Sequence, residues 1–440
     1  MSIKSRLDRL TGEAFPQKET PDANKSELIS DLRKRIDAVV ERRPAMDTRA
    51  KNRRSFNEIL PDCEEILTPC GSVLVVPGWL HSGALHGRKR IGELFDLDTR
   101  HAAILAGHSA FSRFHFRDAL FLDTETTGLS GGTGTLAFLV GLGWYEEGSF
   151  VTRQLFARDF SEEPALLACL TDLAKAKRFL VTFNGRAFDM NLLAARFILN
   201  RMQDPFAAMP HLDLLHPSRR LIGHRLENSR LVTIEEKILG HTREGDIPGY
   251  EIPQRYFDWL RMKRPELIAD VIEHNRLDVI SMAALLLHLC EIMQHGAEAE
   301  GVCHSDLLAA GRLYLERHET DRALDLLEGL VDSDDALCRD EARKQLSVIW
   351  KRKNRWAEAK SLWDRMIADD PGDNFALIEM AKWYEHKEKD YGQAGRMVEH
   401  ALRNNISKED RDELLFRLER IERRASQAQT KRNNYKSEIA

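Results

Sequence analysis

The sequence predicts a mixed α/β domain followed by an all-α region of helical repeats. Two observations predict the α/β domain: apolar runs begin near residues 119, 136, 150 and 179, and helix-type and strand-type patterns then alternate to about residue 298. A third observation concerns the remainder, where small residues recur at intervals of about 34 in helical patterns. With 440 residues and 42% hydrophobic content, the chain can bury more than one core.

Two segments precede the α/β domain. Residues 1–57 are predicted to form a mobile polar arm with one helix, Lys25–Glu41. Residues 58–115 are predicted to form a small accessory β/α layer with a short strand, Ser72–Val76, and a helical stretch. The α/β domain then occupies residues 116–298.

An apolar run, Ala119–Leu122, leads into two carboxylates, Asp123 and Glu125. Side chains alternate across a strand, so residues two apart share a face and both carboxylates point the same way. Like charges this close repel unless a cation lies between them, and a divalent metal ion is the simplest such cation. Taken alone, however, Asp-x-Glu favours a turn or a helix cap.

Two further motifs change this interpretation. A second apolar strand, beginning at Phe179, runs into a turn and then a helix with Asp189 near its start, where the helix dipole favours negative charge. Farther along, His274 and Asp278 are four residues apart on an amphipathic helix and share a face. Three such motifs in this order, each at the edge of an apolar element, are hard to obtain by chance.

The order of these motifs resembles the DEDD exonuclease group of the ribonuclease H-like superfamily. That group has a strand with Asp-x-Glu, then Asn-x-x-x-Phe-Asp, then a helical His or Tyr shortly before Asp. The stretches His211–His216, Arg225–Asn228 and Asp246–Gly249 further resemble bacterial YprB-type proteins, which join a ribonuclease H-like exonuclease domain to tetratricopeptide repeats. The resemblance covers roughly residues 58–410 and implies a ribonuclease H-like mixed sheet with flanking helices, then a tetratricopeptide-type helical domain.

The resemblance also implies a chemistry. Asp123, Glu125, Asp189 and Asp278 would bind two Mg²⁺ or Mn²⁺ ions, which suit carboxylate oxygens with retained waters better than zinc does. One ion would lower the pKa of the attacking water and the other would stabilise the leaving 3′ oxygen. The implied activity is 3′-to-5′ hydrolysis of single-stranded DNA or RNA.

His274 is the candidate general base, because an imidazole with an ordinary pKa of about 6.5 accepts a proton near neutral pH. The family's histidine subgroup places the base five residues before the last Asp, and its tyrosine subgroup places it four before. This chain has histidine at the tyrosine spacing. Two alternatives stay open: a metal-bound water that needs no positioned base, and a solvent-facing His274–Asp278 pair worth a few tenths of a kcal/mol.

Several residues near these motifs would touch the substrate if the resemblance holds. Thr126, Thr127 and Leu129 follow the first acids and would contact a terminal nucleotide, or would only cap and pack the turn. Asn184 and Arg186 lie before Asp189, and the charge of Arg186 would sit beside the metal cluster.

Two other stretches carry polar groups without a clear site. Gly131–Thr135 lacks the Gly-Lys-Ser/Thr ending of a phosphate-binding loop, so it is predicted to be a hairpin or substrate-facing loop before the second strand, Ala137–Trp144. Asp213, between His211 and His216, is a reserve metal ligand only, because histidines on such a strand more often satisfy hydrogen bonds.

Net charge and cysteine content limit the partners and the compartment. The formal net charge is −5, so nucleic-acid binding must use local basic patches. The six cysteines show neither zinc-type spacing nor a disulfide framework, and no run approaches the roughly 18 apolar residues of a membrane helix. We therefore predict a cytoplasmic protein without membrane contact. The candidate basic patch, for which a solvated face is the alternative, comprises Arg219, Arg220, His224, Arg225 and Arg230.

The repeat region is predicted at residues 302–410, followed by a charged helical tail at 411–440. A second small residue follows twelve positions after the first in two units, but Ala394 comes one position late, which implies an inserted residue in the third unit. The repeats would recruit a protein partner or substrate, or form a helical cap. The small residues at the first position are Gly311, Ser347 and Ala381, each followed three residues later by Tyr314, Trp350 and Tyr384.

The sequence therefore predicts a metal-dependent exonuclease. One alternative is a non-catalytic adaptor that binds nucleic acid and uses its repeats as a protein-interaction scaffold. Another is an endonuclease or structure-specific processing enzyme with the same pair of ions.

Overall fold

The structure is a computed structural model that describes residues 55–128, 134–404 and 407–439, with side chains as far as residue 430. The predicted helix Lys25–Glu41, the predicted substrate contact Leu129 and most of the Gly131–Thr135 loop lie outside the described residues.

Nine strands occur in the described part of the chain. Their bounds are β1 Glu64–Thr68, β2 Gly71–Leu80, β3 Leu85–His86, β4 Lys89–Arg90, β5 Ala119–Thr126, β6 Ala137–Glu146, β7 Ser149–Phe156, β8 Phe179–Thr182 and β9 His211–Asp213. Seven of them form one mixed sheet in the order β1-β2-β7-β6-β5-β8-β9, and the other two, β3 and β4, form a short hairpin.

The helices surround this sheet and then continue alone. Their bounds are α1 Phe56–Ile59, α2 Thr99–Ala106, α3 Glu163–Ala174, α4 Asp189–Leu199, α5 Leu215–Leu221, α6 Leu231–Ile234, α7 Ile252–Met262, α8 Glu266–His295, α9 His304–Glu316, α10 Thr320–Glu328, α11 Ala336–Arg352, α12 Trp356–Asp369, α13 Asn374–Trp383, α14 Tyr391–Arg403 and α15 Lys408–Ile439. Two π-helical turns, Glu235–Leu239 and Tyr384–Glu388, follow α6 and α13.

Strand β5 lies at the centre of the sheet. It pairs antiparallel with β6 and parallel with β8, which in turn pairs parallel with β9. Parallel neighbours need crossover connections, and the chain supplies them as helices α3 and α4. The predicted ribonuclease H-like mixed sheet with flanking helices is confirmed, and the carboxyl ends of β5 and β8 meet at one edge.

The segment before β5 contributes to the same sheet. The predicted strand Ser72–Val76 lies within β2, which pairs antiparallel with β7 so that Val75 is opposite Leu155. Helix α3 packs across β1, β2 and β7 through Ala165 and Leu166, among other buried residues. Residues 64–80 therefore extend the central sheet on its antiparallel side.

Helix α8 crosses the other face of the sheet above β6. Two glycines of β6 permit its close approach: a Cβ on Gly141 would lie 2.0 Å from Asn275 Oδ1, and one on Gly143 would lie 2.5 Å from a methyl of Val279. This packing places the His274–Asp278 turn of the helix beside β5, the strand that carries the first two acids.

Helix α8 lies in a segment that tests the prediction that the chain has no helix able to cross a membrane. Among the described residues, one segment, Glu266–Glu298, is long and apolar enough by length and composition to cross a membrane. The expectation from sequence that no run approaches this length is therefore wrong for this segment. Because 78% of its most apolar window is buried inside the protein, the segment serves as the central core helix.

Beyond α8, helices α9 to α14 pack as consecutive pairs, and α15 packs on α14. The π-helical turn Tyr384–Glu388 lies where the sequence implied one inserted residue, and such a turn accommodates an additional residue. The tetratricopeptide assignment itself stays a prediction. The small residues chosen from the sequence are all buried, namely Gly311, Ala323, Ser347, Ala359, Ala381 and Ala394.

Candidate active site

Strand β5 supplies Asp123 and Glu125 at its carboxyl end. The strand is fully buried up to Leu122, so the two acids emerge from the core with much of their surface covered. Burial raises the pKa of both carboxyls well above their ordinary values, and the charge of Asp278 adds to the effect. The side chains therefore meet in a place where their negative charge is poorly compensated.

Helix α8 brings His274 and Asp278 to Glu125. His274 Nε2 lies 3.7 Å from Glu125 Oε1 and 3.5 Å from Asp278 Oδ2. One potential ligand atom from each of the three residues lies within 4.8 Å of the other two. The spacing of four along the helix places both side chains on one face, as the sequence predicted, and the structure shows that this face meets β5 and is not open to solvent.

Asp123 and Asp189 lie beside this group, each with its own partner. Asn275 Nδ2 donates a hydrogen bond of 2.9 Å to Asp123 Oδ2. Helix α4 begins at Asp189, whose carboxylate accepts a hydrogen bond from the Thr124 hydroxyl. Burial raises the pKa of Asp189 to about 6, and its charge in turn raises the pKa of Asp123.

The loop between the π-helical turn at Glu235 and helix α7 supplies Arg243, which sequence reasoning missed, and Asp246, which opens one of the motifs quoted from the sequence but was given no role in the site. Arg243, with a side chain only 2% exposed, donates hydrogen bonds to Glu235, to Asp246 and to Asp278 Oδ1. Asp246 Oδ1 lies 2.7 Å from His274 Nδ1. Although burial opposes the change, the hydrogen bond from His274 and the charges of His274 and Arg243 lower the pKa of Asp246.

The turn after β8 is held by Asp213. Its two oxygens accept hydrogen bonds from the backbone N–H groups of Asn184, at 2.7 Å, and Arg186, at 3.0 Å. Asn184 has a φ of 63°, which the short turn requires. Asp213 thus holds this turn, and its reserve role as a metal ligand stays a prediction. The guanidinium of Arg186 donates to the carbonyl of His211 and so points along β9.

The predicted contacts Thr126 and Thr127 close the turn after β5. The Thr126 hydroxyl donates to the carbonyl of Gly128, and Thr127 exchanges hydrogen bonds with Leu136 through its backbone N–H and its hydroxyl. The strand pairing also shifts register after Glu125. The described contacts of both threonines are therefore within the turn.

A cavity of about 440 Å³ opens beside the acids. Asp123, Asp278 and Asn184 line it together with Arg219 and Arg230. The other members of the predicted basic patch turn away: Arg220 pairs with Glu316, and His224 and Arg225 pair with Asp306. Two of the five predicted cations thus face the acids, and three connect the sheet domain to the first helical pair.

The donor set suits hard divalent cations. Asp123, Glu125 and Asp278 offer carboxylate oxygens, the ligands that Mg²⁺ and Mn²⁺ prefer. Burial and the neighbouring acids raise the pKa of Asp123 and Glu125, so their charged forms are unfavourable unless a cation balances them. His274 adds one nitrogen as a possible ligand. Asp189 is close enough for its charge to raise the pKa of Asp123.

Comparison with known proteins agrees with this arrangement. A ribonuclease H superfamily domain matches residues 120–290, which include Asp123, Glu125, Asp189, Asp246 and Asp278. This match indicates a nucleic-acid hydrolase, a class that typically uses divalent metal ions. The chain is also similar to the uncharacterized protein YprB of Bacillus subtilis (strain 168), with 33% identity over 350 residues, 78% of this chain and 83% of that protein.

Proposed function

The chain belongs to the family of the Bacillus subtilis protein YprB, and on this premise we propose that it is a metal-dependent exonuclease that degrades single-stranded DNA or RNA from the 3′ end. The observation that carries the proposal is the meeting of Asp123 and Glu125 from β5 with Asp278 from α8 at the rim of a cavity. The 3′-to-5′ polarity and the pair of ions come from the resemblance to DEDD exonucleases.

We assign Asp123, Glu125, Asp189 and Asp278 as the residues that would hold the ions. Bound there, divalent ions would supply a nucleophilic water at neutral pH and stabilise the charge of the leaving oxygen. The protein orients the ligands: Asn275 holds one oxygen of Asp123, and Arg243 holds one oxygen of Asp278. Such partners fix ligand geometry before substrate arrives.

The cavity gives the substrate a place beside the acids. Arg219 and Arg230 would contact backbone phosphates, since phosphate contacts are made by Lys and Arg whatever the net charge of the chain. Among the predicted substrate contacts, Asn184 is the one whose position supports the role best, because it lines the same cavity as Asp123. The helical pairs would recruit a partner protein or hold the rest of the strand.

The proposed compartment is a reducing cytoplasm. All six cysteines lie within the described residues and all are free thiols. Burial raises the pKa of Cys290 and Cys169 and so keeps these thiols in the unreactive protonated form. Free cysteines without disulfides are typical of proteins in reducing compartments.

The test uses full-length protein with single-stranded DNA and RNA labelled at the 5′ end, in Mn²⁺ and in Mg²⁺. The wild type is expected to produce a ladder that shortens from the 3′ end, and Asp123→Asn is expected to abolish it while strand binding is retained. Asp172→Asn is the matched control, because Asp172 has a side chain 62% exposed on α3 and should leave the ladder unchanged.

Two outcomes would overturn the proposal. Cleavage of a closed circular single strand would indicate an endonuclease, because an exonuclease has no end to start from. Absence of metal-dependent cleavage, with strand binding retained, would indicate the non-catalytic adaptor.

A further inference from the structure

We infer that His274 is a metal ligand rather than a free general base, and that its nitrogen gives the site a preference for Mn²⁺ over Mg²⁺. This inference rests on the proposed function, because it concerns the metal site of the proposed nuclease. It departs from the base role that the sequence predicts for the same residue.

The orientation of the imidazole is the first observation. His274 Nδ1 lies 2.7 Å from Asp246 Oδ1, so Nδ1 carries the proton and donates it to that carboxylate. The position of Asp246 is itself fixed, because Arg243 Nη1 donates to its other oxygen at 3.1 Å. A carboxylate that accepts a hydrogen bond from the far nitrogen is the usual outer partner of a metal-bound histidine. In the neutral ring with its proton on Nδ1, Nε2 is the nitrogen whose lone pair would bind a cation.

The spacing of Nε2 from the acids is the second observation. Two atoms bound to one ion at about 2.0–2.2 Å lie about 3 to 3.6 Å from each other. Nε2 lies 3.5 Å from Asp278 Oδ2, which is within this range, and 3.7 Å from Glu125 Oε1, which is slightly above it. Both distances exceed the normal range of an N–H···O hydrogen bond, about 2.7–3.2 Å. The spacing is therefore closer to that of two ligands on one ion than to that of a hydrogen bond.

The surroundings of His274 give the third observation. A general base must reach the water that attacks the substrate, so it should face the place where substrate enters. The cavity beside the acids is lined by Asp123 and Asp278 but not by His274, whose side chain is 11% exposed. Nε2 instead faces the space between Glu125 and Asp278.

A nitrogen ligand has a consequence for metal choice. Mg²⁺ binds oxygen ligands and water, whereas imidazole favours transition-metal ions. A site with Glu125, Asp278 and His274 should therefore bind Mn²⁺ more tightly than Mg²⁺, and most of that difference should depend on the imidazole.

The experiment measures metal binding without nucleic acid. Mn²⁺ affinity is determined from the electron paramagnetic resonance signal of the free ion, and Mg²⁺ affinity from competition, for full-length wild type, His274→Asn and His295→Asn. His295 is an exposed histidine at the end of the same helix and serves as the matched control. His274→Asn is expected to weaken Mn²⁺ binding by about tenfold or more, with a much smaller change for Mg²⁺. His295→Asn should change neither affinity.

Electron spin-echo spectroscopy of the Mn²⁺-loaded proteins gives the direct readout. A nitrogen coupling is expected in wild type and His295→Asn and should be absent in His274→Asn. Should His274→Asn not fold, Asp246→Asn replaces it: the coupling should persist with about tenfold weaker Mn²⁺ binding, because the imidazole loses its charged outer partner.

No nitrogen coupling in the Mn²⁺-loaded wild type, or an unchanged ratio of Mn²⁺ to Mg²⁺ affinity in His274→Asn, would overturn the inference. A nitrogen coupling in a protein that hydrolyses no nucleic acid would keep the ligand role and remove the proposed activity. The two failures are thus distinguishable.

Discussion

Arg243 is the residue that offsets the negative charge on the α8 side of the site. Its guanidinium contacts Glu235, Asp246 and Asp278, and it lowers the pKa of Glu125, which burial and neighbouring acids raise. Because Glu235 is fully buried, Arg243 also satisfies a charge that has no access to water. One permanent cation therefore stabilises the fold and orients a candidate metal ligand at the same time.

Residues that could be identified from sequence differ from those that could not in one physical respect. Asp123, Glu125, His274 and Asp278 lie on regular elements, where a spacing of two or four fixes a shared face. Arg243 and Asp246 lie in a loop, where no period relates a residue to the direction of its side chain. Asp213 was considered as a ligand because of its type, whereas the backbone N–H groups of the preceding turn occupy both its oxygens.

The phosphate contacts proposed for Arg219 and Arg230 can be tested through the salt dependence of single-strand binding. Arg219→Ala and Arg230→Ala are each expected to weaken single-strand binding and to reduce the slope of log K against log salt by about 0.7, because each removes one phosphate contact. Binding is measured by fluorescence anisotropy in the Asp123→Asn background, which prevents degradation. Arg220→Ala is the control, since Arg220 pairs with Glu316. Equal slopes for all three variants would exclude the cavity as the phosphate path.

His288 makes stability depend on pH. It is fully buried, and neither ring nitrogen has a hydrogen-bond partner among the described residues. Burial, with Lys89 and Arg225 nearby, lowers its pKa to about 3. The unfolded chain binds a proton at this residue below about pH 6.5, whereas the folded protein does not. The free energy of unfolding therefore suffers no loss from His288 above about pH 6.5, and it falls as the pH drops from there towards 3.

Lowering the pH from 7.5 to 5.5 should cost about 1.4 kcal/mol of unfolding free energy through His288 alone. His288→Leu should remove that part of the loss. The measurement is urea unfolding at both pH values, followed by circular dichroism. His295→Leu, at an exposed position of the same helix, should keep the wild-type loss. A His288→Leu protein that loses as much stability as the wild type would contradict the assignment.

At the scale of elements, the approach of helix α8 to strand β6 determines the site. The helix comes close enough for Asn275 to reach Asp123 only because β6 has glycine at 141, the position paired with Asp123 in the sheet. The packing of one helix on one strand thus joins the acid of β5 to the acid and imidazole of α8.

Gly141→Ala tests this packing. The added Cβ would lie 2.0 Å from Asn275 Oδ1 and 2.7 Å from its Cγ, so the buried amide must move. We expect a loss of about 1–3 kcal/mol of unfolding free energy together with weaker Mn²⁺ binding, since the hydrogen bond to Asp123 is disturbed. Urea unfolding and metal titration measure the two effects. Gly249→Ala is the control, because a Cβ there meets nothing within 4 Å. Wild-type stability and Mn²⁺ affinity in Gly141→Ala would contradict this account.

The existence of a strand could be predicted where a regular hydrophobic pattern runs along it. The position of that strand in the sheet could not be predicted where its partner lies far away along the chain. The apolar runs at 119, 136, 150 and 179 correspond to β5, β6, β7 and β8. The strand at 72–76 was predicted, yet its place beside β7 was not, because its partner lies about eighty residues later along the chain. Hydrophobic pattern specifies a strand, whereas neighbour choice depends on the whole sheet.

At the scale of the whole molecule, the sheet domain and the first helical pair share one core. Tyr314 and Ala323 of this pair belong to the same hydrophobic cluster as Phe121 of β5 and Leu285 of α8. The Tyr314 hydroxyl donates to the carbonyl of Met293 at 2.8 Å. The sequence shows a change from mixed to wholly helical patterns near residue 300, but it does not show that the core continues across this point.

The polar counterpart of this shared core is Asp306, near the start of α9. Its fully buried carboxylate lies 2.7 Å from Arg225 Nη1 and 3.1 Å from His224 Nε2, and it accepts a hydrogen bond from the backbone N–H of Cys303. Arg225 also donates to the carbonyl of Gly301. One acid therefore joins the basic segment after α5 to the first turn of α9 and satisfies that turn's N-terminus.

Asp306→Ala should accordingly weaken the connection between the two parts of the molecule. Removing one partner of a buried pair typically costs about 3–5 kcal/mol, and because Arg225 is partly exposed we expect about 2–3 kcal/mol here. Asp306→Asn keeps the hydrogen-bond acceptor without the charge and should cost less. The surface pair of Asp321, whose side chain is 95% exposed, with Lys353 gives the control: Asp321→Ala should change stability by less than about 0.5 kcal/mol.

Urea unfolding measures the stability of these three variants, and hydrogen exchange with mass spectrometry locates the change. Faster exchange in Asp306→Ala should concentrate in α9 and in the segment of His224 and Arg225, because the lost contacts join only these regions. If exchange instead rose evenly over the whole chain, or if Asp321→Ala matched Asp306→Ala, the acid would not be the connection between the sheet domain and the helical pairs. A localised change would mean that two of the five predicted basic residues, His224 and Arg225, fix the position of the helical region through Asp306, whereas Arg219 and Arg230 line the cavity and remain for nucleic acid.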